Sequence, residues 1–408
     1  MKKNPLYPKI DSKLAHLSEK EINELHKLYY EKTNKELIAD YNIDATSNTL
    51  RSIIPPKICK DVFCKYCEIP MWETLGSKYF PEDREIFCPE CNHKHNSDRC
   101  TCFNCEIIRE NEKLEEEKKL RTRIEYFLGN EGVSPVDYSD ITLEEKIYLA
   151  SLLRTGLSED LNIISLNKNI YSPLTPSYKF TIEIIDSLLE RGIITININS
   201  PLDCFCILQD HSISFYHDKV QYLLNINYHK PYAELVNDLM NLTIDAEQNT
   251  LFLFQLWKRL AIEECIEYLL YNMQSVNFNF SPGKKTIQVF SDLLQHFSTS
   301  QIFYLIYNNV TRATRYSRES STPVYQAANS VIGNCQRLGE TALSQGWEPT
   351  KYKRWKSNPQ SEISKLLFNR IMKIDHEGFD HKPILDFHKL QKTKQQNPEE
   401  ENPPQENS

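Results

Sequence analysis

Cys64-Lys65-Tyr66-Cys67 and Cys88-Pro89-Glu90-Cys91 stand twenty residues apart, and Cys100-Thr101-Cys102-Phe103-Asn104-Cys105 follows closely. Each C-x2-C pair sets two sulfurs on one tight turn, so two such pairs can close a tetrahedron around one metal ion at about 2.3 Å per thiolate. His93, His95, Cys100, Cys102 and Cys105 supply a second site of three thiolates and one imidazole. Eight of the twelve cysteines lie between Cys59 and Cys105. Cysteines acting as small buried hydrophobes suit Cys204, Cys206, Cys265 and Cys335. That reading fails for a cluster so dense in a stretch so poor in aliphatics. The pairing stays open: Cys64 and Cys67 could instead share a metal with Cys102 and Cys105, and Cys59 could replace a ligand.

The spacing of the two pairs resembles a zinc-ribbon-like module, here followed by further ligands in tandem. The expected cofactor is Zn2+, two ions, both structural. A catalytic zinc keeps three protein ligands, an open position and a nearby base, whereas thiolates are plentiful here. The deaminase pattern H-x-E followed by P-C-x-x-C is absent, because Pro89 sits inside the Cys88–Cys91 pair.

Upstream, Ser18 to Glu21 and Thr33 to Glu36 each place a hydroxyl three residues before a glutamate, the capping-box signal for a helix start. Apolar residues recur behind them at helical spacing: Ile22, Leu25, Leu28 and Tyr29, then Leu37, Ile38 and Tyr41. A third helix is expected over about 46–54, stopped by Pro55-Pro56. The stretch Glu36 to Asp44 resembles the middle of resolvase- and transposase-type helix-turn-helix domains. Asn42 stands where the turn glycine would be and tolerates a left-handed backbone, and Ile43 is the turn's buried residue. About two extra residues precede the third helix, which departs from the pattern. The resemblance implies that Thr46, Ser47, Asn48, Thr49 and Arg51 face a DNA groove. Anions outnumber cations from Lys20 to Arg51, which gives weight to the plainer alternative, a three-helix platform that binds no DNA.

The remaining composition excludes several classes. Ten glycines in 408 residues are about a third of ordinary usage, and none forms a dinucleotide or phosphate-loop fingerprint. Neither G-x-S-x-G nor H-E-x-x-H occurs. Arg370 precedes His376 by six residues, a spacing that chance supplies at this content of arginine and histidine. The cluster Asp375, His376, Glu377, Asp380 and His381 reads as a loop. No apolar run approaches the roughly 18 residues of a membrane span, and the N-terminus lacks a signal-peptide core. A soluble, cytoplasmic protein with no membrane partner is expected. Richness in Asn, Lys, Ile and Tyr points to an AT-rich, bacterial genome.

Residues 106–128 carry six cations and seven anions without Gly or Pro and read as an exposed, solvated helix. Thr142 to Glu145 is a third capping box. A helix over about 177–191, the stop Gly192, and strands at 193–198 and 204–208 around Asn199-Ser200-Pro201 resemble the second half of a winged helix. Past residue 250 the periodicity is helical, over about 251–275, 284–297, 299–318, 323–345 and 359–375. Between Thr311 and Lys356 eight cations face three anions. Arg312, Arg315, Lys351, Lys353, Arg354 and Trp355 are the candidate contacts there, since rings among cations suit unpaired bases and phosphates.

The expected fold class is mainly α and multidomain: a helix-turn-helix (1–57), a zinc-binding module (58–106), a charged helical linker (107–135), a winged-helix-like α+β segment (136–245), an α-helical bundle (246–382) and a disordered polar tail (383–408). The expected function is DNA-directed binding by a zinc-stabilised regulator, or by the recognition subunit of a mobile-element or defence system. Double-stranded DNA is the expected partner, with RNA or a protein as candidates for the bundle. An enzyme of nucleic acids with its site in the helical half, and a protein-binding scaffold, are the competing classes. The sequence leaves the oligomeric state open.

Overall fold

The computed structural model describes residues 7–129, 132–166, 173–320, 322–355 and 358–391. Helices make up about half of the chain, the sheets are small, and the chain divides into two compact units between Leu120 and Arg121.

In the first unit both capping boxes form. The Glu21 carboxylate accepts from the Ser18 N–H at 2.7 Å and opens α1 (Glu19–Leu28). Glu36 accepts from the Thr33 N–H at 2.8 Å and opens α2 (Asn34–Asp40). Asn42 then takes φ 45°, the left-handed turn expected of it, and Ile43 is buried with Leu14, Leu25, Tyr29, Leu37, Leu50 and Ile54. The third helix is shorter than the sequence predicts. Only Leu50–Ile53 are α-helical (α3), and Thr46 to Thr49 form a turn. The Thr49 hydroxyl accepts from the Thr46 N–H at 3.0 Å, the local side-chain bonding by which threonine competes with helix.

Next come β1 (Lys57–Phe63), β2 (Pro70–Glu73) and β3 (Ile86–Phe87), an antiparallel sheet with β2 central. Its core is slight: Cys64, Ile69, Met71 and Cys88. Helix α4 (Phe103–Leu128) follows.

The unit boundary lies within α4, and the end of that helix is not the solvated spacer expected of 107–135. In the second unit Ile124 is fully buried. The Arg121 guanidinium donates to the carbonyls of Ile198 and Ser200 at 2.7 and 2.8 Å, and Arg123 donates to that of His211.

Strand β4 (Val136–Asp137) precedes α5 (Leu143–Gly156), capped by the Thr142/Glu145 box and buried without a break from Ile147 to Leu153. Then come β5 (Ile164–Ser165) and α6 (Tyr178–Glu190). Gly192 ends that helix region at φ +69°, which a side chain rarely adopts. Strands β6 (Ile194–Ile196), β7 (Phe205–Ile207), β8 (Ile213–Phe215), β9 (Gln221–Leu224) and β10 (Ile226–Asn227) complete the segment. Both expected strands exist, but not as one hairpin. β7 pairs with β8, while β6 pairs with β9 in an antiparallel sheet of order β5-β9-β6. The turn after β6 is spent on a separate bond, the Ser200 hydroxyl to the Asn197 carbonyl at 2.6 Å, so the chain leaves the sheet and rejoins it only at β9. β10 lies parallel to β4.

Helix α7 (Tyr232–Met240) leads to α8 (Thr250–Ser275), α9 (Lys284–Leu293), α10 (Thr299–Glu319) and α11 (Val324–Gln345). These last four enclose a core that includes Leu269, Phe290, Phe303, Ile306, Val331 and Cys335. Helix α12 (Glu362–Lys365) passes into a π-helical turn, Leu366–Ile371, before α13 (Glu377–Asp380). The backbone N–H groups of Glu362 and Ile363 bond the carbonyls of Pro173 and Leu174. The segments expected as 136–245 and 246–382 therefore share one compact unit. The ordered chain also outlasts residue 382: Phe387 is fully buried, and the rest of the expected tail, 392–408, lies outside the described residues.

Candidate metal centres

Two turns of one design carry the first four cysteines. The Cys64 N–H bonds the Ile69 carbonyl at 2.9 Å, and the Cys88 N–H bonds the His93 carbonyl at 2.8 Å. In each turn the residue after the second cysteine, Glu68 or Asn92, has φ near +55°, and its N–H closes back on the first cysteine's carbonyl at 2.9 Å. This aims Cys64, Cys67, Cys88 and Cys91 at one point. The second group is His93, Cys100, Cys102 and Cys105. Within each group the four ligand atoms lie no more than 4.8 Å apart. Ideal tetrahedral coordination at 2.3 Å would set sulfurs about 3.8 Å apart. Cys64 Sγ and Cys91 Sγ are 3.6 Å apart, and His93 Nδ1 is 3.8 and 3.3 Å from the sulfurs of Cys102 and Cys105.

The pairing is therefore sequential, not interleaved. His95 is exposed and outside both groups. Its backbone N–H bonds the Ile86 carbonyl at 2.8 Å, which turns the loop so that His93 alone points inward. Cys59 lies in β1 opposite Met71 and joins neither group.

The electrostatics also favour a cation. Burial works against ionisation of Cys100, yet the N–H groups of Lys94 and Cys102, together with the Cys102 and His93 side chains, draw the thiol down to about 6. The Lys94 N–H donates to its sulfur at 3.2 Å. Cys64 is lowered in the same way, against burial, by the N–H groups of Cys67 and Tyr66. Their neighbours go the other way. Burial pushes Cys67 up to about 11 and raises Cys91 further. Several thiolates a few ångströms apart cannot all ionise unless a positive ion sits among them. Tyr66, inside the first turn, carries no spacing signal of its own, yet its hydroxyl lies 3.2 Å from Cys105 Sγ of the second group and its ring meets His93 edge-on at 4.9 Å. No family model, curated protein or solved structure matches this chain.

The expected nucleic-acid contacts divide. Thr46, Asn48, Thr49 and Arg51 are exposed on the turn and α3, and Ser47 is half-buried. Arg312, Arg315, Lys351 and Lys353 are exposed and have no carboxylate partner among the described residues. Arg354 and Trp355 turn inward instead. The Arg354 guanidinium binds both carboxylate oxygens of the buried Glu264 at 2.9 and 3.0 Å and lies over the Phe379 ring at 3.9 Å. Trp355 packs on Tyr268, Tyr271 and Phe303. The two are core contacts because the chain after Pro349 folds back on α8 and α10, which a local charge count does not register.

The polar cluster from Asp375 to His381 is not among the groups that could hold a metal. His217 is paired with Asp186 at 2.8 Å. No helix among the described residues is long and apolar enough to cross a membrane.

Proposed function

We propose that the protein is a zinc-stabilised, DNA-directed binding protein, either a regulator or the recognition subunit of a larger system. Thiolate-rich tetrahedral groups suit zinc, and four protein ligands per ion leave no open position for substrate, so both ions are structural. The observation that carries the nucleic-acid reading is the set of exposed cations Arg312, Arg315, Lys351 and Lys353, without carboxylate partners among the described residues of a chain of net charge −8. Such groups would release counterions on meeting phosphate. The α1–α3 arrangement, with left-handed Asn42 and buried Ile43, supports the helix-turn-helix resemblance, with Arg51 and the Thr46–Thr49 turn as its DNA-facing surface. The sheet order β5-β9-β6 after α6, with the β7–β8 hairpin inserted in the chain connection between the paired strands β6 and β9, supports a winged-helix-like reading of the second segment.

The test is a salt titration of binding to labelled duplex DNA, read by anisotropy. Each phosphate contact contributes about 0.9 to the slope of log K against log salt. Arg312→Ala with Arg315→Ala, Lys351→Ala with Lys353→Ala, and Arg51→Ala should each flatten that slope. No binding by the parent near physiological salt overturns the reading, as does an unchanged slope in all three variants.

A further inference from the structure

A groove of about 410 Å³ opens beside the second ligand group, where the end of β1, the first metal turn, the 95–98 loop and the second turn of α4 come together. Three of its walls have a distinct chemistry. Phe63, the last residue of β1, holds 57% of its surface open to solvent, although it directly precedes the buried Cys64. Lys65 lies over the Tyr66 ring at 4.8 Å. Arg109 reaches across to the Asp98 backbone carbonyl at 3.3 Å. Neither cation has a carboxylate partner among the described residues. Asp98 is the groove's one acidic lining residue, with His95, Asn96 and Ser97 beside it.

We propose that this groove holds an unpaired stretch of a nucleic-acid strand, with a base on the Phe63 ring and the flanking phosphates on Lys65 and Arg109. The inference rests on the nucleic-acid reading above and assigns the zinc module its own substrate class. An open ring beside cations that no carboxylate neutralises is what single-strand binding uses, because every base presents a face to stack and every linkage a charge to neutralise. A duplex hides its base faces and offers the groove only phosphate. An acidic protein segment would use the cations and leave Phe63 idle. Phe63 and Lys65 bracket Cys64, and Arg109 lies one turn past Cys105, so the metal turns fix where ring and charges stand.

The experiment uses the full, zinc-loaded chain and fluorescein-labelled oligothymidine, with the same label on a duplex for comparison. Zinc content and circular dichroism establish that each variant is folded. Lys65→Ala with Arg109→Ala should weaken oligothymidine binding by about 10-fold or more at low salt. The salt slope should fall by about 1.4, or 0.7 per phosphate on a single strand. Phe63→Ala should weaken binding by about 5- to 150-fold with the slope kept, as loss of one stacked base does. Phe63→Leu, which keeps apolar bulk but no ring face, should behave alike. Parent-like binding by the ring variants together with a reduced slope in the cation variant means a phosphate-only surface and overturns the proposal. So does a parent that binds duplex but not oligothymidine, or an acidic peptide displacing the strand with equal effect in Phe63→Ala. A parent that binds oligothymidine through these residues but no duplex sinks the DNA-regulator reading and leaves this one standing.

Discussion

The Tyr66 hydroxyl lies 3.2 Å from Cys105 Sγ, although Tyr66 belongs to the turn that presents Cys64 and Cys67 to the other group. Its backbone N–H meanwhile donates to Cys64 Sγ at 3.5 Å. One residue thus supports a ligand of each centre. Outer-shell partners orient ligands and change metal affinity by about 10- to 100-fold when removed. Tyr66→Phe deletes only the hydroxyl. It should lower zinc affinity at the His93/Cys100/Cys102/Cys105 group by that factor and leave the all-cysteine group nearly unchanged. Stepwise competition with a chromophoric chelator, read as one early and one late release, checks this.

Removing the metal should unfold part of the chain only. The core around the first ligand group holds few apolar side chains, and modules with so little to bury usually need a metal or disulfides to fold. The second unit buries its own extensive core around Phe290, Phe303 and Val331. Excess chelator should therefore open residues 58–106 to protease and to rapid hydrogen exchange, while most helical circular dichroism stays. A single cooperative loss of all helix on chelation would contradict this division.

The two candidate ligand groups were legible in the sequence because ligand spacing is local: a C-x2-C turn closes on itself whatever surrounds it. The same locality made the capping boxes at Ser18, Thr33 and Thr142 readable, and the long helices after residue 250 with them. His95 could not be separated from His93 by type, since only the backbone bond of the loop decides which imidazole turns inward. The pairing of β6 with β9 needed a partner across an excursion that no turn signal spans. Helix α7 is nine residues with three buried apolar positions, too short a pattern to stand out. Arg354 shows the sharpest gap. Its charged neighbourhood reads as surface, and only tertiary packing reveals Glu264 beneath it.

That ion pair predicts opposite behaviour for two arginines of the same basic stretch. Glu264 keeps 7% of its side-chain surface exposed and Arg354 20%. Arg354→Ala leaves a carboxylate buried without its partner, which typically costs about 3–5 kcal/mol, toward the lower figure given the guanidinium's partial exposure. Arg315→Ala, at an exposed position, should change stability by no more than about 0.5 kcal/mol. In urea unfolding of the zinc-loaded protein the first variant should lose midpoint strongly and the second hardly at all. In the DNA binding proposed above the order should reverse, with Arg315→Ala reducing the salt slope and Arg354→Ala, below its unfolding transition, leaving it as it was.

Glu267 on α8 sets a pH dependence of definite sign. Burial pushes its carboxyl up to about 7, helped by the Glu263 carboxylate one turn earlier on the same helix, itself bonded by the Ser177 hydroxyl at 2.6 Å. An unfolded glutamate titrates near 4.5. Below that pH both states hold the proton, and the fold keeps the full benefit of a neutral buried acid. Between about 4.5 and 7 the unfolded chain releases the proton and the folded one does not, so stability falls as pH rises. Above 7 the loss is complete. Each pH unit crossed in that window costs about 1.4 kcal/mol at most, and solvent access to the carboxylate reduces the total to on the order of 1–2 kcal/mol. Glu267→Gln keeps the shape without the charge. It should raise stability at pH 8 by that amount, change little at pH 4.5, and flatten the slope between. Denaturant midpoints across that range would show it, and equal gains at both ends would mean that the substitution acts through packing and not through the proton.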